Sequence, residues 1–548
     1  MPMKNQSADL HILELNGTGL TIAELVEVAR NSDVLIQLSA DARQRMEKSR
    51  RWVEQVQKSG EPVVYGINTG FGSKAVVSIS KEKLRELQRN LIISHAAGTG
   101  EPLAIEAARA AMLLRANTLA RGFSGIRIEV VERLLKMLEN GVTPWIPAQG
   151  SLGASGDLAP LSHLALVLSR GEDDDPEENS GRAYWYESDT RTWRLTSGKE
   201  AMAAGGIPRV VLEAKEGLAL NNGTQVSTAL LALAFYDATQ IVKLADVAMA
   251  MTLEGLEGIS AAFRPEVHQL RPLPGQIATA ENIRRLTAGS GLLDRRYDKV
   301  QDAYSLRCHP QVLAGVRDTL NFIEQTLNVE MNSTNDNPII IPELTQANKA
   351  ISGGNFHAQP VAFAADFLSI VLCEVGSIAE RRIFRLSDKN LNGGLPSFLI
   401  SNPGLESGLM IAQYTAASLV SENKALAHPA SVDSIPSCEN QEDHVSMAPI
   451  GARKARQILE NVQKIVAIEL LYAAQALDFR LNNEQQKTDS GPERLFGKGS
   501  AAAYRLIRNH IPFIEKDRPI YRDIERMLEL VRGGAVLEAV ERAVGKLK

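Results

Sequence analysis

The sequence predicts a mainly α fold, a bundle of long helices with one small β-hairpin set into it, and three observations carry that prediction. The stretch from Val210 to Arg264 contains no proline and is rich in Ala, Leu, Val and Met on more than one face, as suits helices buried on several sides. Residues 361–386 and 450–478 repeat this character, with Ile458, Val462, Ile465 and Val466 spaced along one helical stripe. Helix starts are written at Thr21-Ile-Ala-Glu24 ahead of LVEVARN and at Ser197-Gly-Lys-Glu200 ahead of AMAAGG, both of which satisfy a capping box. Long helices side by side imply a bundle. Their excess apolar surface is most simply covered by self-association, so an oligomer is expected.

In chain order, 1–208 reads as an N-terminal domain, 209–480 as the central long-helix bundle and 481–548 as a C-terminal helical segment. Within the first, 171–196 reads as a surface excursion. Glu172-Asp-Asp-Asp175 and Glu177-Glu178 make a dense run of like charge, read as a solvated loop in preference to a metal site. The following AYWYESDTRTWRL alternates like a small β-hairpin. Residues 266–276 and 484–500, rich in Pro, Gly or polar side chains, read as loops. No internal repeat is found.

Bulk properties narrow the function. A chain of 548 residues has room for about three to four average domains, and its 44% hydrophobic content fills a large core. The net charge of -5 is spread over 60 basic and 65 acidic side chains without a long basic run, so neither nucleic acid nor a membrane is expected as a partner. Cys308, Cys373 and Cys438 lie far apart and lack C-x-x-C spacing, which argues against a disulfide framework or a zinc site. The N-terminal MPMKNQSADLHILEL lacks the apolar stretch of a signal peptide, and no window approaches ~18 uninterrupted apolar residues. A cytoplasmic protein is expected.

The most informative stretch is Gly150-Ser-Leu-Gly-Ala-Ser-Gly-Asp-Leu-Ala-Pro160, ahead of the helical pattern LSHLALVLS. Composition alone gives a tight turn before a helix. Asp157 would be its N-cap, Pro160 would sit in the first turn where a missing N–H costs little, and the glycines would allow unusual dihedrals.

This Ala-Ser-Gly-Asp run resembles the signature of the aromatic amino acid ammonia-lyase and aminomutase family, and the resemblance extends in matching order over nearly the whole chain. Tyr65-Gly-Ile-Asn-Thr-Gly-Phe-Gly72 resembles the family's tyrosine loop, and Asn222-Gly-Thr its asparagine motif. Gln301-Asp-Ala-Tyr-Ser-Leu-Arg307, Asn337-Pro, Gly353-Gly-Asn-Phe-His357 and Asn440-Gln-Glu-Asp-His444 complete the set. Taken singly, each has a bland reading: a glycine-rich turn, an N-G-T turn, an amphipathic surface piece. The resemblance implies a long-helix bundle of the fumarase/aspartase-like superfamily. The fumarase and argininosuccinate-lyase branch itself carries a G-S-S-x-M-P-type loop that is not found here.

By this resemblance Ala154, Ser155 and Gly156 cyclise into a methylidene-imidazolone (MIO), with the Gly156 nitrogen attacking the Ala154 carbonyl and two waters leaving. The 1–208 domain is then the MIO-bearing one. Glycine offers an unhindered nitrogen, and serine supplies the methylidene carbon. The resemblance further implies that this electrophile activates the substrate amine and that Tyr65 takes the β-proton. A phenol needs a lowered pKa for that task near neutrality, which nearby positive potential would provide. Arg307 would hold the substrate carboxylate in a two-pronged contact. Asn222, Gln301, Tyr304, Asn337 and Phe356 would bind and orient substrate and cofactor. No metal and no diffusible cofactor is implied, and family members assemble each site from several subunits of a homotetramer.

Substrate choice in this family tracks a residue pair after QRNLII, here Ser94-His95. Phenylalanine-type enzymes tend to Phe-Leu and tyrosine-type enzymes to His-Leu, whereas Ser-His resembles the histidine type. Glu442 also matches that type, since a carboxylate complements an imidazole. The implied reaction is elimination of ammonia from L-histidine to give trans-urocanate. The alternatives are a phenylalanine or tyrosine ammonia-lyase or aminomutase, and a non-catalytic helical scaffold in which His95 is a structural histidine and Glu442 a helix-end charge. Departures from the pattern are Asn221, where an apolar residue is expected, Ala303, where proline is usual, and the long 171–196 excursion.

Overall fold

In the computed structural model, residues 12–31, 34–173, 176–485 and 491–548 are described. Asp174 and Asp175 of the acidic run and 486–490 of the second expected loop lie outside them. Contacts divide the chain into two units: unit 1 holds 1–233, 324–365 and 429–453, and unit 2 holds 234–323, 366–428 and 454–548. This division by contacts cuts the chain along other lines than the three consecutive segments read from the sequence.

Unit 1 combines helices with short strand pairs. Ile12–Leu15 pairs in parallel with Leu35–Leu38, and alternate residues of both are buried, the period of a half-covered strand. The helix Ile22–Arg30 opens with a full capping box, in which Thr21 accepts from the Glu24 N–H while Glu24 accepts from the Thr21 N–H at 2.8 Å. The second expected box forms by half. Ser197 accepts from the Glu200 N–H at 3.2 Å and starts Gly198–Ala204, but the Glu200 carboxylate turns to the Thr196 hydroxyl instead of the Ser197 N–H. Almost every side chain of the helix Ile105–Ala120 is buried, including Arg109 and Arg115. The 171–196 hairpin is present as Arg182–Glu187 against Thr192–Ser197, and Val142–Pro144 adds a third strand, so the excursion is anchored in a sheet.

Unit 2 draws on long helices. Gln225–Gly255, Gln359–Ser387 and Ala448–Gln485 correspond to the apolar stretches read from the sequence. The first starts at Gln225 and not near Val210, because Val210–Val211 is a strand and the chain breaks at Asn222-Gly-Thr. Two of these helices are long and apolar enough to cross a membrane, but most of each apolar window is buried in the protein, as expected of core helices. Ile458, Val462, Ile465 and Val466 are all fully buried. A charge ladder runs through the interior of unit 2: Arg382 donates to both oxygens of Glu469, and Asp246 accepts from Arg317 at 2.6 Å and pairs with His309 at 2.9 Å. Burial holds the His309 imidazole down to about 4, so it meets Asp246 as a neutral donor.

Two expected loops are corrected. Residues 266–276 contain most of the helix Pro265–Gln269 and the start of Pro274–Leu286, and 484–500 contains Pro492–Leu495 and the start of Lys498–His510. Proline at the first helical position accounts for three of these starts, where it fixes φ and gives up an N–H that has no helical partner.

Candidate active site

The Ala154-Ser155-Gly156 run forms a tight turn closed by a bridge between Gly153 and Gly156. The helix Leu158–Leu168 follows at once, with Asp157 in the N-cap position. The Asp157 side chain does not cap that helix. Its carboxylate accepts from the Ser227 N–H and Ser227 Oγ, each at 2.8 Å, and so caps the first turn of Gln225–Gly255. Burial pushes the Asp157 carboxyl up to about 6, against the pull of the Ser227 donors.

The turn is docked on Asn222-Gly-Thr. The Asn222 Nδ2 donates to the Ser155 carbonyl at 3.0 Å, the Gly223 N–H donates to the same oxygen at 3.3 Å, and the Asp157 N–H donates to the Gly223 carbonyl at 2.7 Å. Gly156 has φ +74°, and a Cβ there would come within 2.1 Å of the Gly223 oxygen. Only glycine fits. Gly223 has φ +143°, and a Cβ there would meet the side-chain ends of Arg115, Gln225 and Asn335. Beneath the loop, Thr224 Oγ1 accepts from Asn335 at 2.8 Å and donates to Glu330 at 2.5 Å, while Gln225 bridges Thr118 and Asn335.

A cavity of about 390 Å³ opens over this turn. Among the residues read from the sequence it is lined by Tyr65, Ala154, Ser155, Asn222, Asn337, Phe356 and Glu442. Gly156 lies buried just beneath it. The Ser155 hydroxyl donates to Glu442 Oε1 at 2.9 Å, and Ser437 Oγ donates to the other oxygen at 2.7 Å. Glu442 follows a turn in which Cys438, Glu439 and Asn440 all have positive φ (50°, 56° and 66°), a run of left-handed residues that is costly without glycine. The Asn337 amide is spent on the loop that carries Phe356: it donates to Ser352 Oγ at 3.1 Å and accepts from the Gly353 N–H at 2.8 Å.

Tyr65 departs from expectation. Its hydroxyl oxygen accepts from the Gly72 N–H at 3.1 Å, but burial raises its pKa, and the neighbouring Cys438 and Glu442 add to the rise. The lining brings negative charge to the phenol, not the positive potential expected. His95 and Ser94 do not line the cavity. Ser94 Oγ and His95 Nδ1 are 3.0 Å apart, and the half-buried His95 is pushed down by desolvation while the Glu442 charge, close enough to act, pulls it up. Gln301, Tyr304 and Arg307 belong to unit 2 and are not among the lining residues. There Tyr304 is 71% exposed, with the Arg307 guanidinium 4.6 Å over its ring. Arg307 Nε donates to the Asp302 carbonyl at 2.9 Å.

Among the lining residues with no assigned role in the sequence are two histidines. His357 and His444 stack at 5.6 Å with their planes 10° apart, and both sat unremarked at the ends of motifs that were recognised. Asn221, the departure from the pattern beside Asn222, is fully buried and is not among the lining residues, and its Nδ2 donates to Ser162 Oγ at 3.2 Å. Among the described residues no group of three or more His, Cys, Asp or Glu is arranged to hold a metal. The turn does fit the cyclised tripeptide: a Cβ-free Gly156 is demanded by the packing, the Ser155 carbonyl is held by two donors, and the buried Asn222 Oδ1 is left without a partner beside it.

A sequence profile of the aromatic amino acid lyase family matches residues 20–509. A histidine ammonia-lyase of Caldanaerobacter subterraneus subsp. tengcongensis is 50% identical over 529 residues, 96% of this chain and 98% of that protein. The crystal structure of histidine ammonia-lyase from Trypanosoma cruzi matches with a TM-score of 0.85 at 40% identity, covering 97% of this chain and 96% of that one. Tyrosine aminomutase from Streptomyces globisporus matches with a TM-score of 0.86 at 36% identity, covering 98% of this chain and 100% of that one.

Proposed function

The chain belongs to the aromatic amino acid lyase family and is a carbon–nitrogen lyase, and from that premise we propose that it eliminates ammonia from L-histidine to give trans-urocanate. Its fold is the helical bundle of the fumarase/aspartase-like type. The observation that carries the histidine reading is Glu442, a carboxylate set into the cavity against Ser155. An imidazole offers ring N–H donors to such a group, whereas a benzyl ring leaves it unmatched. The His95 imidazole within electrostatic reach of Glu442, and relatives at 50% identity that are histidine ammonia-lyases, point the same way.

Ala154, Ser155 and Gly156 would form the MIO, held through the Ser155 carbonyl by Asn222 and Gly223. Once formed, that group supplies an electrophile that turns the substrate amine into a better leaving group. Tyr65 is the residue that takes the β-proton. Burial, with Cys438 and Glu442 nearby, raises its pKa, so that task calls for an added positive charge close to the phenol. Arg307 holds the substrate carboxylate, with Gln301 and Tyr304 beside it, in a cytoplasmic homotetramer whose subunits share sites. Phe356 shapes the cavity from the 352–356 loop, which Asn337 holds in place.

The likeness to tyrosine aminomutase supports a second reading, phenylalanine or tyrosine deamination or amine migration, because a mutase needs the same electrophile and differs in how long the product stays enclosed. Incubation with L-histidine, L-phenylalanine and L-tyrosine separately, reading ammonia and product absorbance, decides between them. Preference for L-phenylalanine or L-tyrosine would overturn the histidine reading.

A further inference from the structure

Ser94 and His95, which join Glu442 in the proposed substrate selection, do not line the cavity, and their segment is tied to the turn by a separate contact. His163 sits on the helix Leu158–Leu168, which begins directly after the Ala154–Gly156 turn and Asp157. Its Nε2 accepts from the Gly98 N–H at 3.1 Å. Gly98 is wedged in place: a Cβ there would stand 3.1 Å from Pro147 Cβ, 3.2 Å from the Gln149 oxygen and 3.2 Å from His163 Nε2. The link from Gly98 back to the selecting pair is short and tied, since the Ala97 N–H donates to the His95 carbonyl at 2.8 Å. The helix with this hydrogen bond, beside the pairing of Thr99–Pro102 with Pro147–Gln149, sets the separation between the tripeptide and the 94–98 segment. An N–H is accepted only by an unprotonated ring nitrogen, and burial holds the His163 imidazole down to about 4, which keeps Nε2 available throughout the neutral range. Glu177, Glu178 and Arg182 are the charged residues that share its cavity.

We infer that His163 is a positioning residue for substrate selection, fixing Ser94 and His95 relative to the Ala154–Gly156 turn through Gly98. The inference rests on the reading of His95 as a contact for the substrate ring. His163→Met and His163→Asn lose the acceptor at the Nε2 position, whereas the amide oxygen of His163→Gln reaches about as far as Nε2 does. In the first two, KM for L-histidine rises on the order of tenfold, the effect of one unmatched half-buried donor, while kcat stays within about threefold and the cofactor absorbance is unchanged. His163→Gln stays within about threefold of wild type in every parameter. In a His95→Ala background His163→Met adds nothing, because it acts through His95. A fall in kcat or cofactor absorbance alongside KM, additivity with His95→Ala, or failure of both variants to fold makes His163 a structural residue and overturns the inference. Wild-type KM in His163→Met and His163→Asn, beside a damaged His95→Ala, overturns this inference alone. Wild-type KM in His95→Ala overturns the reading of His95 on which it rests.

Discussion

Asp157 immediately precedes one helix and caps another, its carboxylate taking both the N–H and the hydroxyl of Ser227 at 2.8 Å, 70 residues further along the chain. The turn that carries Ala154, Ser155 and Gly156 is thereby bolted to the start of Gln225–Gly255 by a buried charge.

That charge has a pH signature. With the folded carboxyl at about 6 and an unfolded aspartate near 3.9, the unfolded chain releases its proton first, so rising pH favours unfolding between those values. Relative to Asp157→Asn, which cannot ionise, the wild type should lose roughly 3 kcal/mol of stability from about pH 4 to about pH 6. Denaturant unfolding of both proteins across this range checks it; a flat difference, or one of opposite slope, refutes the account.

Ser155→Ala should abolish turnover without unfolding the chain, because Ser155 supplies the methylidene carbon and alanine fits the same turn. The intact mass of the wild type is expected to be two waters below the sequence value, and that of the variant not. A wild type at full uncyclised mass would end the MIO proposal.

His95→Phe should weaken histidine deamination by about 1–3 kcal/mol in kcat/KM, the usual cost of an unmatched buried polar partner, and raise phenylalanine turnover in relative terms. Glu442→Gln should damage histidine turnover most, since it removes the charge that faces Ser155 and keeps the shape. Measured kcat/KM for L-histidine and L-phenylalanine on the three proteins tests both statements, and equal losses on the two substrates would contradict them.

Arg307→Lys should raise KM and lower kcat/KM by roughly tenfold to a hundredfold while the cofactor absorbance persists, because a planar fork is lost and the charge is kept. Steady-state kinetics beside an ultraviolet difference spectrum separates the two effects. A near-normal variant would take Arg307 out of the site.

Periodicity and capping made the helices legible: Thr21 and Glu24 close the box their spacing announces, and the stripe through Ile458 and Val466 is buried. Where proline density was read as loop, at 266–276, a residue that breaks helix interiors had been placed where it starts them. The residues that meet in the cavity, from Tyr65 to Glu442, are too far apart in sequence for any local pattern to unite, and only the ordered resemblance did so. It gave no hint of the environment of Tyr65, because the desolvation and the carboxylate that raise its pKa arise from tertiary packing. The surroundings of Asn221 were hidden for the same reason: its partner Ser162 is on another helix, invisible from its immediate neighbours.

The partners of the Ala154–Gly156 turn also set a timetable. Asn222 lies 67 residues after Ser155, and Glu442 lies 287 residues after it. On the proposed reading, a nascent chain cannot strain its tripeptide toward ring closure until Gly223 has docked, and the hydroxyl to be lost does not meet its carboxylate until most of the polypeptide has been synthesised. Maturation on that reading comes late in biogenesis, and a growing chain carries no reactive alkene to modify itself or its neighbours.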